Sequence, residues 1–90
     1  MIMASKRLLK KNVNYVMGDI IDAAYIHQMA NPKKDDNKSE AIVDEAISDY
    51  DELIREINRR DVENKQKHFR DIEKDLEKKA KDLVEKLNAL

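Results

Sequence analysis

From Ser5 to Ala30 the chain repeats at spacings of three and four: Leu9, Val13, Val16, Ile20, Ala23, Ala24 and His27 recur in step. At roughly 100° per residue these positions fall on one stripe, which predicts an amphipathic helix. Met17 and Ile21 widen the stripe on one side, while Leu8, Tyr15 and Ile26 lie beyond its other edge. Apolar groups therefore cover well over half of the girth, and a helix of that kind needs more than one neighbour to cover it. Ser5 is the expected N-cap, because its hydroxyl can accept a hydrogen bond from an orphan amide. Gly18 sits mid-helix at a cost of about 1 kcal/mol relative to Ala. It lies almost opposite the stripe, where it is either merely tolerated or allows close approach by a second chain. Pro32 disfavours helical geometry at Asn31, so the helix ends near Ala30.

The polar run from Asn31 to Lys38 contains no apolar side chain besides Pro32 and reads as the loop expected to move most. A second helix is predicted from about Lys38 to Arg59, where Ile42, Val43, Ala46, Ile47, Tyr50, Leu53, Ile54 and Ile57 form an arc roughly 140° wide. Asn37 followed by Glu40 resembles a capping box, with Ser39 as the competing N-cap. Glu45, Asp49, Glu52 and Glu56 form an acidic ridge along one edge of the arc. Between Ile57 and Phe69 the only aliphatic residue is Val62, and the stripes on either side are offset by about 100° or more. That offset predicts a turn, with Asp61 or Asn64 capping a third helix from about Asn64 to Asn88. There Phe69, Ile72, Leu76, Ala80, Leu83, Leu87 and Leu90 make a narrow seam. Asp75, Glu77 and Asp82 each precede a lysine by four positions, a weak helical support.

Charge divides the chain as the helices do. Residues 1–34 hold six basic and two acidic groups, residues 35–57 two and nine, and residues 58–90 ten and eight. Short connections favour antiparallel neighbours. The expected architecture is thus an all-α, up-down-up three-helix bundle, one domain over residues 1–90 with helices at about 5–30, 38–59 and 64–88. In it the basic start of helix 1 lies beside the acidic end of helix 2 (Asp51, Glu52, Glu56). One glycine and one proline are too few for the turns of a β-fold. No cysteine is present, which excludes disulfides, thiolate metal sites and thiol nucleophiles. Nothing approaches the roughly 20 apolar residues of a membrane span, and the opening lacks the pattern of a signal peptide, so a cytoplasmic protein is expected.

Candidate chemistry is sparse. Lys6, Arg7, Lys10 and Lys11 offer phosphate contacts, but they spread around the helix and the overall balance is slightly acidic. Asp19 and Asp22 with Asp49 and Glu52 make i,i+3 acidic pairs of the type that holds Mg²⁺ or Mn²⁺ in all-α nucleotide pyrophosphatases. The flanking pattern of that family is missing. His27 and His68 have no second histidine one turn away, and Ser5, Ser39 and Ser48 have no nucleophile context. No catalytic residue, cofactor or metal is therefore assigned, and the chain is read as a non-enzyme. The informative set is Leu8, Tyr15, Ile26 and Met29. Two companion helices leave these residues uncovered, and such patches mark interfaces.

The opening Lys6-Arg7-Leu8-Leu9-Lys10-Lys11-Asn12-Val13-Asn14-Tyr15 resembles the start of a family of small, uncharacterised helical proteins of Bacteroidetes. There a Leu-Lys-Lys-x-x-Asn-Tyr pattern precedes an apolar helix. The resemblance covers about a third of the chain and implies a bacterial origin and a helical fold, with no activity or site residue attached. The expected function is a helical interaction or adaptor protein, homodimeric through helix 1 or bound to another helical protein. A nucleic-acid- or ribosome-associated accessory protein and a carboxylate-metal nucleotide hydrolase are the alternatives.

Overall fold

The computed structural model describes residues 6–31 and 37–90, and in them the chain is three helices with no strand. Helix α1 spans Lys6–Ala30, α2 Lys38–Ile57 and α3 Lys65–Asn88. Each helix sends one apolar face into a common core. Leu9, Val13, Met17, Ile20 and Ala24 come from α1; Ile42, Val43, Ala46, Leu53 and Ile57 from α2; Ile72, Leu76 and Leu83 from α3. Val16, Ile21, Tyr50, Phe69, Ala80 and Leu87 are among the half-buried residues that close its margins. Burying a large aliphatic side chain contributes about 1.5–3 kcal/mol, so this shared face is the main source of stability. The three helices all touch one another, with α1 and α2 sharing the broadest contact. The narrow seam of α3 accounts for its smaller share: only three of its residues are buried.

The inward face of α1 is rotated from the stripe that spacing alone suggests. Met17 is buried, whereas Val16 is half-buried and Ala23 exposed. The true centre thus runs through the i+4 step from Val13 to Met17. On a helical wheel this turns the buried face by about 30°. In α2, Ile47 belongs to the predicted arc but stands exposed at its edge.

Helix ends follow local chemistry closely at one join and not at the other. Helix α2 stops at Ile57, two residues earlier than expected, and the Asn58 N–H bonds back to the Ile54 carbonyl at 3.0 Å. Asn64 then caps α3: its backbone is extended and its side-chain oxygen accepts from the Lys67 N–H at 3.1 Å. Asp61, the competing cap, instead accepts from the Arg59 guanidinium at 3.1 Å. His68 ties this join together. A carbonyl only accepts, so its Nε2 donates to the Glu56 carbonyl oxygen, 2.6 Å away. The capping box expected at Asn37 does not form. Asn37 has φ 67°, a left-handed conformation, and its side chain makes no cap bond. Ser39 lies one residue inside α2 and is fully buried, not at its cap. The predicted cap Ser5 and the loop residues 32–36 lie outside the described residues.

This assignment of the cap is testable. Asn64→Ala removes the bond that satisfies an orphan amide and lowers stability by about 1 kcal/mol, a drop of roughly 4–8 °C in melting temperature for a domain of this size. Asp61→Ala removes only an exposed ion pair and shifts the melt little. Equal shifts for the two variants in thermal denaturation would show that Asn64 is not the cap.

Candidate functional site

The four residues singled out on α1 are all exposed: Leu8 at 40%, Tyr15 at 62%, Ile26 at 66% and Met29 at 80%. Tyr25, at 49%, joins them. At 100° per residue these five span about 100° of the wheel, centred roughly opposite the buried face. They do not form one continuous patch. Tyr25, Ile26 and Met29 are neighbours near the end of α1, while Tyr15 and Leu8 stand alone at intervals of seven residues or more toward its start. With a rise of 1.5 Å per residue, Leu8 and Met29 are about 30 Å apart along the axis. The gaps between them are filled by Lys11, Gly18 and Asp22. The ammonium of Lys11 lies over the Tyr15 ring, 5.8 Å from its centroid, so a positive charge sits on the line itself.

The expected set omits Tyr25, although its wheel position, about 150° from the centre of the expected stripe, already marks it as outward. Val84 of α3 is also exposed. It borders a groove between α1 and α3 with Ala23, His27 and Leu87. The half-buried His27 is placed there as a packed side chain is expected to be.

The other candidate groups disperse. The wheel positions of Lys6, Arg7, Lys10 and Lys11 spread over roughly 140°. Lys6 joins Arg59, Arg60 and Lys65 around a cavity beside Ile57 and Phe69, whereas Lys11 lies over Tyr15 on the outer line. Of the acidic ridge on α2, Glu45 accepts from Lys86 at 2.6 Å and Glu52 from Lys79 at 3.4 Å. Those lysines belong to α3, so these two members of the ridge pair with α3 and not with the basic start of α1, while Glu56 accepts from Arg59 at 3.0 Å. Lys79 also bonds Asp75 at 2.7 Å, the expected i,i+4 pair. Lys86 reaches across to α2 in preference to closing its own pair with Asp82. Among the described residues no group of three or more His, Asp or Glu is placed to hold a metal ion, and no helix is long and apolar enough to cross a membrane.

The ridge carries an electrostatic imbalance at Asp49. Burial raises its pKa, the charge of Lys79 opposes that, and Glu45, Glu52 and Asp75 add to the rise. Burial also works against the charge on Lys79, but its bonds to Asp75 and Glu52 outweigh this and hold its pKa above the ordinary lysine value. Bonding to Glu45 likewise raises Lys86. A carboxylate with a raised native pKa contributes most stability when protonated, below its unfolded value. That contribution is lost as pH rises through the native value. Asp49→Asn is therefore expected to melt higher than the parent protein at pH 7, with the difference shrinking as pH falls below the ordinary aspartate range. A variant less stable than the parent at pH 7 would mean that attraction to Lys79 dominates.

Gly18 yields a second stability prediction. A methyl group added at its Cα meets no atom within 4 Å, and its φ is not positive. Nothing in the chain's own packing calls for glycine. Gly18→Ala is expected to stabilise the isolated chain by about 0.5–1 kcal/mol, measured by denaturant unfolding at low protein concentration. A loss of stability would reveal an internal steric role.

No protein-family model matches this chain, and no curated protein and no solved structure matches it.

Proposed function

We propose that this chain is a non-enzymatic helical interaction protein that works as a homodimer, joined through the outer face of α1. The observation that carries the reading is the row of Tyr15, Tyr25, Ile26 and Met29, exposed on the side of α1 away from the core. Isolated exposed apolar residues need no explanation. Here Tyr25, Ile26 and Met29 cluster near one end of a helix already buried along its opposite face, with Tyr15 farther along the same side, and a cluster of that kind favours a second packing surface. A two-fold dimer is the simplest way to cover such a face, because one surface then buries its own copy.

The subunit is proposed as an up-down-up bundle. In support, Lys6 shares a cavity with Ile57 and Phe69, and His27 shares a groove with Leu87 and Asn88. The Glu45–Lys86 and Glu52–Lys79 pairs run in opposite order along α2 and α3. The resemblance of the opening segment favours a bacterial origin.

Sedimentation equilibrium over a range of concentrations tests the dimer. The parent protein is expected to associate, and the double variant Tyr15→Ser/Ile26→Ser to remain monomeric with its helix content unchanged. A parent protein that is monomeric throughout would overturn the reading.

A further inference from the structure

We infer that the two copies pair with their α1 helices antiparallel, in one register, with Tyr15 of each copy seated on Gly18 of the other. The inference rests on the dimer reading above and adds the direction and alignment of the contact. The outer face of α1 carries two interleaved rows with a seven-residue period. One is Leu8, Tyr15, Asp22 and Met29; the other, three residues on, is Lys11, Gly18 and Tyr25. This is the two-row pattern of a coiled-coil seam, although both rows contain polar members.

In an antiparallel seam each residue of one row meets a residue of the partner's other row. One register makes three such meetings at once, with Met29 falling opposite position 4, outside the described residues. Leu8 faces the partner's Tyr25, Tyr15 faces the partner's Gly18, and Asp22 faces the partner's Lys11. The two-fold axis then passes between Val16 and Met17, and each contact occurs twice. Three observations converge on it. The only glycine in the chain falls opposite the bulkiest side chain near the axis, where a side chain would hold the two backbones apart. The glycine has open space beyond its Cα, so the ring of a neighbour can occupy it. Lys11 and Asp22 are exposed and enter no ion pair among the described residues, and this register brings them together with opposite sign.

Parallel pairing has none of these properties. It sets Lys11 against the partner's Lys11 and Asp22 against the partner's Asp22, leaving like charges opposed within the contact. It also stacks Tyr15 on itself and leaves two glycines facing a gap. The charge arrangement along the outer face, basic early and acidic later, thus selects a second copy in reversed orientation.

Charge exchange tests the register. Lys11→Glu or Asp22→Lys alone turns two attractions into two repulsions and is expected to raise the dimer dissociation constant about tenfold. The double exchange restores the attraction and is expected to return it to within about threefold of the parent value. Single exchanges without effect, or a double exchange without recovery, would overturn the register. Because the chain has no native cysteine, cross-linking provides an independent measurement. In the antiparallel pair the two copies of residue 11 lie about 16 Å apart along the axis, too far for a disulfide. Lys11→Cys alone is therefore expected to stay reduced, while a mixture of Lys11→Cys and Asp22→Cys chains oxidises to a cross-linked pair. Self-cross-linking of Lys11→Cys would show a dimer of parallel helices, overturning this inference and leaving the dimer reading intact. A parent protein that never dimerises would overturn both.

Discussion

The packing of one face of α1 into the groove between α2 and α3 governs the rest of the molecule. Leu9, Val13, Met17, Ile20 and Ala24 advance by four, four, three and four residues, which holds them on a band under a third of the girth wide. Two helices meeting that band cover it and its flanks, where Val16 and Ile21 are half-buried. The opposite face is beyond their reach whatever the side chains there. A third helix lies against only two others in a three-helix bundle, so an outer row on α1 is a geometric consequence of the inner one.

Charge plays a directing role more than a stabilising one. The ion pairs between helices that the described residues make run from α2 to α3, through Glu45, Glu52, Lys79 and Lys86. All are at least partly exposed, and pairs of this kind contribute roughly 0–1 kcal/mol each. A shift of α3 along α2 that moved Lys79 and Lys86 out of reach would bring Asp75 or Asp82, on the same edge of α3, toward the acids of α2. The unfavourable alternative matters more than the modest gain of the observed pairs. Asp49 is the residue that bears the strain of this arrangement, lying among the acids while Lys79 bonds two others.

The three helices and their inward faces were largely legible in the sequence, because the apolar period is long in each and Asn64 stands at the one place where a cap was needed. What escaped depended on rotation and on path. Val16 and Met17 are adjacent, both apolar and both compatible with the stripe; only the packing of the folded chain decides that Met17 points inward. The same turn of about 30° carries Leu8 further from the core. Asn37 has the right chemistry for a cap, but the chain enters α2 through a left-handed conformation there, and no pattern of residue types announces that. The acidic ridge was visible, yet its partner helix was not. Segment totals reveal only how much charge each helix carries, whereas pairing depends on which edge each helix turns to its neighbour.

Gly18 brings these strands together. In a helix interior glycine costs backbone entropy and offers no packing atom in return, and here it relieves no clash inside the chain. The proposed dimer gives such a residue a use outside the fold. Around Gly18 stand a tyrosine one turn before it, an aspartate one turn after it, and a lysine seven residues before it, all on the outer line. Reversing a second copy of α1 onto the first places the tyrosine on the glycine and the lysine on the aspartate with no further adjustment. In the proposed pairing, small-residue contact and charge complementarity favour the same alignment by independent physical routes.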